Sequence, residues 1–394
     1  MRRAASDLDY APPSDKITSM NFSRLIRPQV AHFEPYIPGR SMESVRREKG
    51  LKRIVKLASN ENPLGPSAKA LKAMNAAGKS LFRYPDGAST TLRQALARYA
   101  GVNVNRVIIG AGSDEIIELL GKTFLNAGDS IVVSQHAFLR YQMAAEMMGA
   151  ATVAVPMKEY AHDLGAMADA IRADTKIVFI ANPNNPTGTY NGRVELKEFL
   201  TRVSAMNERR QAPILAVVDE AYFEYAKAFA PDYPDTIALQ KRFPFLMTMR
   251  TYSKAHALAG LRIGYAFAEP AIIEALDRVR PPFNISIAAQ VAGVAALEDK
   301  THVKRSVELV RRERKGVEAV LKRMGLPFLP SVANFVLIDV SPRKGREVFE
   351  RLLDRGIITR AMDEYGLPHH LRVTYGLPAE NTLFTKALTE VLRS

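Results

Sequence analysis

One lysine poses the chemical question. Lys254 stands in "TYSKAHALAGLRIGY" (251–265), between an apolar run and a glycine-containing turn, where a solvated surface lysine is out of place. An amine held there is partly desolvated and acts as a nucleophile instead of a surface charge. Asp219 ends the β-branched run "ILAVVD", and Tyr222 follows three residues later. An acid in that position serves a buried cationic nitrogen, though it would also cap a helix. "AGSD" (111–114) opens a helical pattern with small residues, then Ser113 and Asp114. Free N–H groups and the helix dipole make such a start an anion cradle, or simply a cap. "NPNNPTG" (182–188) adds Asn185 in a stretch whose composition is also that of a turn.

Together these residues meet the demands of pyridoxal 5′-phosphate. An amine must form a Schiff base with its aldehyde, which selects Lys254. A carboxylate must keep its pyridine nitrogen protonated, so that the ring draws electrons, which selects Asp219. Donors must fix its phenolic oxygen, and an anion site must hold its phosphate.

A sheet has to bring these groups to one edge. Strand candidates are "RVIIG" (106–110), "SIVVS" (130–134), "ATVAVP" (151–156), "KIVFIA" (176–181), "ILAVVD" (214–219), "FLMTMR" (245–250) and "RIGYAFA" (262–268). Helical patterns such as "SDEIIELLGKTFL" and "AMADAIRA" (166–173) lie between the earlier ones. Continuous apolar strands alternating with helices predict an α/β fold, with a mainly parallel seven-stranded sheet covered on both faces. Ligands of such sheets bind beyond the carboxyl ends of the strands, where all the residues above fall. The short link 251–261 is tight for a parallel crossover, so "RIGYAFA" is expected to run antiparallel. After Asp299 a long basic helix leads to "ANFVLIDV", "KGREVFERLLDRG", "IITRAM", "HLRVTYG" and a last helix from Glu380, an α+β pattern. The expected organisation is a disordered extension over 1–19, with Met20 as an alternative start. An N-terminal arm and part of a small domain follow over 20–80, then a large cofactor-binding domain (81–299) and a small C-terminal domain (300–394).

Composition narrows the classes further. The chain has 394 residues, 47% hydrophobic and 24% charged, and no cysteine. Disulfide frameworks, thiolate metal sites and cysteine nucleophiles are excluded, and no metal site is expected. No apolar run reaches membrane-spanning length, so a cytoplasmic protein is expected. Lys and Arg number 55 against 41 Asp and Glu, a net charge of +14. Those cations are scattered over helical patterns with no nucleic-acid motif beside them, so a basic solvated surface and anionic substrates account for them better.

"NPNNPTG", "DEAY" and "TYSKAHALAGLRIGY", in this order, resemble the fold type I aminotransferases. "PYIPGRS", "LASNENPLGPS", "RYPDG", "GAGSDEIIELL", "SQHAF", "ANFV" and "LRVTYG" are similar to the histidinol-phosphate aminotransferase branch of that family, from about Asn21 to the C-terminus. The resemblance implies that Lys254 holds the cofactor and later shuttles the substrate proton. It implies that Asp219 pairs with the pyridine nitrogen, and that Asn185 and Tyr222 hold the 3′-oxygen. Gly112, Ser113, Asp114, Ser253 and Arg262 are implied at the phosphate, and Phe138 stacked on the ring. Tyr84 would reach the phosphate of the other subunit's cofactor, which implies a homodimer with shared sites. On the substrate side it implies Arg372 for the α-carboxylate or its equivalent and Arg360 for the distal anion, with Tyr36, Asn60, Asn185 and Asn334 around them. Ala361 follows Arg360 where proline is usual, and the Asn185–Pro186 bond is expected to be cis. His256 reads as a packing residue, since Lys254 already moves the proton.

The activity implied is ping-pong transamination of L-histidinol phosphate with 2-oxoglutarate. Aromatic amino-acid transamination and a lyase similar to threonine-phosphate decarboxylase are the alternatives, because the same cofactor site serves all three. A regulator built on this fold would carry a DNA-binding module, for which nineteen residues are too few.

Overall fold

The computed structural model describes residues 22–31, 33 and 39–393; the expectations for residues 1–19 and Tyr36 lie outside the described residues. In chain order the strands are β1 (Val55–Lys56), β2 (Val107–Gly110), β3 (Ser130–Ser134), β4 (Ala151–Val155), β5 (Thr175–Ala181) and β6 (Leu215–Asp219). They continue with β7 (Leu246–Thr251), β8 (Gly264–Phe267), β9 (Phe335–Asp339), β10 (Ile357–Ile358), β11 (Arg360–Met362) and β12 (Leu367–Thr374). Seven form one sheet in the order β2-β8-β7-β6-β5-β3-β4. β8 alone runs against its neighbours, antiparallel to both β2 and β7, as its short connection requires.

The apolar strands are continuous because both faces of this sheet are covered. Along β5, Ile177, Phe179 and Ala181 pack with Ile116 and Leu120 of the helix Ser113–Phe124. Val178 and Ile180 point the other way, onto Leu196, Phe199 and Leu200 of the helix Arg193–Asn207. With helices on each side, alternation of polar and apolar residues has no solvent face to report.

A second core gathers the two ends of the chain. Val45, Val55 and Leu57 pack with Phe335, Ile358, Leu371 and Phe384, and β1 pairs in parallel with β10. β11, β12 and β9 form an antiparallel sheet beside them. The helix Ala68–Ala77 buries Ala70 against Leu92 and Ala289 on the large-sheet side.

Two predicted elements need correction. "AMADAIRA" is helical only over Leu164–Asp169. Asp163 caps that helix through Ala166 N at 2.9 Å, and Thr175 Oγ1 then takes the Arg172 amide at 2.9 Å to turn the chain into β5. "IITRAM" is not one strand. The chain pairs with β1 up to Ile358, changes partner at buried Thr359, and pairs with β12 from Arg360. That change of sheet sets the direction of Arg360.

Candidate active site

The carboxyl ends of β2, β3, β5, β6 and β7 open on one cleft, and the antiparallel β8 brings its amino end, with Arg262 just before it, to the same edge. A cavity of about 290 Å³ lies there. Asn60, Ser113, Asp114, Phe138, Asn185, Asp219, Tyr222, Ser253, Lys254, Arg262, Arg360 and Arg372 all line it. Residues far apart in sequence are thus gathered by strand ends and by the second core.

Lys254 Nζ donates to the Ser59 carbonyl at 3.1 Å. Burial, and next the nearby Arg372 cation, lower its pKa to about 8. At neutral pH about a tenth of this amine is therefore the free base, far more than of a surface lysine. Asp219 is buried at the end of β6. Its Oδ2 accepts from the Tyr141 hydroxyl at 2.8 Å and its Oδ1 from Ala221 N at 3.1 Å. Burial raises its pKa to about 6, and the Tyr141 hydrogen bond works against that rise. A cationic N–H placed against it would restore the charged form. Asn185 Oδ1 accepts from Arg372, and the Tyr222 hydroxyl accepts from Asn60 Nδ2 at 2.8 Å. The Asn185–Pro186 peptide is cis.

The anion cradle is built from backbone. Gly112 precedes the helix Ser113–Phe124 at φ 80°, and no side chain caps that helix. A Cβ on Gly112 would lie 2.4 Å from the Arg262 guanidinium, which therefore sits directly over the helix start. A Cβ on Gly264 would lie 2.3 Å from Ser113 N, so β8 presses on the same turn. Arg262 adopts φ 53°, a left-handed backbone that costs a non-glycine residue roughly 1 kcal/mol. Its Nη1 approaches Ser253 Oγ and its Nη2 approaches Asp114 Oδ2, each at 3.5 Å. Uncapped amides, two hydroxyls and a guanidinium fit a phosphate. With the depressed amine and the buried acid, the residues present fit pyridoxal 5′-phosphate.

At the other end of the cavity stand two arginines. Arg372 on β12 and Arg360 on β11 are direct partners in the antiparallel register. Arg372 is buried, donates through Nη2 to the Ala58 carbonyl at 2.6 Å, and leaves Nε without a partner among the described residues. Arg360 Nη2 donates to Glu364 Oε2 at 2.7 Å.

Some named residues stand elsewhere. Gly112 shapes the cradle without lining the cavity. Asn334 is buried behind it, donating to the Asn60 carbonyl at 3.0 Å. Asn60 itself is held at φ 57° by that bond and by Thr374 Oγ1, which accepts from its backbone N–H at 3.0 Å. Tyr84 is 81% exposed and stacks on Phe283, with ring centroids 4.8 Å apart. His256 packs on the Tyr252 ring and lies 3.5 Å from a Glu224 oxygen.

Sequence reading missed three contributors. Tyr141 lies three residues beyond Phe138, in the first turn of the helix Arg140–Met147, and meets its ring edge-on at 5.8 Å. The Ser59 carbonyl is a backbone atom and leaves no trace in residue type. His162 is buried, and burial lowers its pKa to about 4, so it stays neutral. Its Nε2–H donates to the Ala181 carbonyl at 2.7 Å and its Nδ1 accepts from the Ser134 hydroxyl, joining the ends of β5 and β3. A carbonyl can only accept, which settles the tautomer.

Comparison with known proteins agrees with this geometry. The family aminotransferase class I and II matches residues 52–387. Histidinol-phosphate aminotransferase of Moorella thermoacetica is 44% identical over 93% of this chain and 92% of its own. Histidinol-phosphate aminotransferase 2 of Pseudomonas fluorescens is 44% identical over 95% of this chain and 99% of its own. The crystal structure of histidinol-phosphate aminotransferase from Sinorhizobium meliloti, in complex with pyridoxal-5′-phosphate, superposes with a TM-score of 0.85 at 28% identity. That superposition covers 96% of this chain and 99% of the other.

Proposed function

The chain belongs to the class I and II aminotransferases, and from that premise we propose that it exchanges an amino group between L-histidinol phosphate and 2-oxoglutarate. The products are imidazole-acetol phosphate and glutamate, a step of histidine biosynthesis, and the cofactor is pyridoxal 5′-phosphate. The names of the relatives support the substrate. One observation carries the chemistry: a depressed lysine amine and a buried acid share a cavity with two arginines in direct register.

When bound, the cofactor supplies an aldehyde that takes up amines and a ring that draws electrons from the substrate's α-carbon. Lys254 Nζ is the base that takes the proton from that carbon and returns it. Asp219 would keep the pyridine nitrogen protonated, with Tyr141 and Ala221 N keeping the carboxylate aimed. Asn185 and Tyr222 would hold the 3′-oxygen, and Phe138 would flank the ring. The backbone amides of Ser113 and Asp114 after Gly112, with the Ser113 and Ser253 hydroxyls and Arg262, would hold the phosphate. Arg372 binds the substrate's proximal group and Arg360 its distal anion, bidentate geometry that lysine would not supply. Asn60 and Asn334 shape that end.

The reading includes a homodimer with shared sites, to which Tyr84 and Tyr36 of each chain contribute across the interface. Leu81, Phe82, Tyr84 and Phe283 are all exposed, an apolar patch of the kind a second copy covers. Among the described residues no helix is long and apolar enough to cross a membrane, and a cytoplasmic site of action goes with a biosynthetic role.

The test offers cofactor-loaded enzyme histidinol phosphate, phenylalanine or phosphothreonine, each with 2-oxoglutarate, and follows glutamate. Histidinol phosphate is expected to be preferred. Preference for phenylalanine would make this an aromatic aminotransferase. Carbon dioxide released from phosphothreonine without need of 2-oxoglutarate would make it a lyase.

A further inference from the structure

The distal arginine comes with an anion of its own. Arg360 Nη2 donates to Glu364 Oε2 at 2.7 Å, and the two side chains are only 12% and 23% exposed. Glu364 lies in the 3₁₀ turn Asp363–Tyr365 that joins β11 to β12, after a register shift at Ala361/Met362. Arg360 lines the cavity, while Glu364 stands behind it. The neighbouring charges explain why an acid is placed there. Arg372 is Arg360's direct partner across the strands, and like charges in that position repel. Arg372 also acts on Lys254 electrostatically, as the largest charge effect that lowers its pKa. Arg372 is therefore the proximal cation and Arg360 the distal one.

We propose that Glu364 is a specificity-determining residue: as the built-in counter-anion of Arg360, it lets the distal pocket accept either an anionic group or an uncharged ring. The proposal rests on the transaminase reading above. A neutral side chain closing over Arg360 strips the cation of water, and an unpaired cation there is costly. With Glu364 bound to one edge of the guanidinium, that cost is largely removed. A phosphate or carboxylate meets the same guanidinium with its charge partly neutralised, so its binding is tempered. Glu364 thus narrows the difference between charged and uncharged substrates. It acts through Arg360 and touches no reacting atom.

Glu364→Gln in the holoenzyme tests this. The ratio of kcat/KM for histidinol phosphate to that for phenylalanine is expected to rise roughly tenfold, the factor that about 1.4 kcal/mol carries. The change should come mainly from opposite movements of the two KM values, which general damage to the fold would not produce. Glu364→Asp, which keeps the charge at shorter reach, should fall between wild type and the glutamine variant. Calorimetric titration with inorganic phosphate gives a readout without turnover: Glu364→Gln should bind it more tightly than wild type, and Arg360→Ala should erase the difference. An unchanged or lowered ratio, or equal phosphate affinities, would overturn the proposal. Wild-type enzyme that converts neither substrate would instead refute the transaminase reading, and the phosphate titration would still decide the role of Glu364.

Discussion

The two largest pressures on Lys254 act in one direction. Burial disfavours its ammonium form, and the Arg372 cation adds repulsion, so the amine loses its proton near pH 8. Only the neutral amine attacks an aldehyde, and the neutral fraction grows as pH passes the pKa. Cofactor capture by the apoenzyme should therefore speed up as pH rises through about 8 and then level off. In Arg372→Gln one of the two pressures is gone and the profile should move to higher pH. Stopped-flow absorbance with added pyridoxal 5′-phosphate would check both; a profile unmoved by the substitution would mean that Arg372 does not govern the amine. Asp219 shows the opposite balance. Burial raises its pKa to about 6, while a tyrosine and a backbone amide hold it back from rising further.

The elements turn these side chains into a site through a few close approaches. β8 starts against the first turn of the helix Ser113–Phe124, and only glycine at 264 leaves the distance open. An added methyl would stand 2.3 Å from Ser113 N and 2.4 Å from Gly112 C, backbone atoms that cannot swing aside. Gly264→Ala is expected to cost about 1–3 kcal/mol in stability, the usual range for overpacking. It should also weaken cofactor binding, since the displaced turn is the proposed phosphate cradle. Gly316→Ala, at an open position within the helix Lys300–Arg323, should raise stability by up to about 1 kcal/mol. Thermal melting and equilibrium dialysis of the cofactor would separate the two variants, and equal behaviour would remove the packing argument.

At the scale of the whole molecule, the proposed shared site makes a prediction that one chain alone would not. Lys254→Ala chains lack the base, and Tyr84→Ala chains lack the residue offered to the partner. Co-expressed, they should form mixed dimers in which one site has both residues and the other has neither. Specific activity should then exceed that of either variant alone. Activity no greater than that of the Tyr84→Ala enzyme would argue that Tyr84 serves no neighbouring site. The same scale accounts for the charge balance. Of the cations in the +14 chain, Lys254, Arg262, Arg360 and Arg372 face the cavity, an arrangement suited to anionic substrates.

What residue order determined by itself was local. Apolar runs, helix starts and the groups at strand ends follow from periodicity and capping, so the placement of Lys254, Asp219, Asn185 and Ser113 at one sheet edge and the antiparallel "RIGYAFA" could be read directly. Tertiary structure alone decided the rest. Tyr141 meets Asp219 across 78 residues because two strand ends lie in one sheet, and Lys254 finds the Ser59 carbonyl across 195. The break at Thr359, which sets Arg360 opposite Arg372 and beside Glu364, depends on which strand each half pairs with. Periodicity reports which face of an element is buried. It does not report which partner fills that face, because contacts distant in sequence are chosen by packing and not by neighbours in the chain.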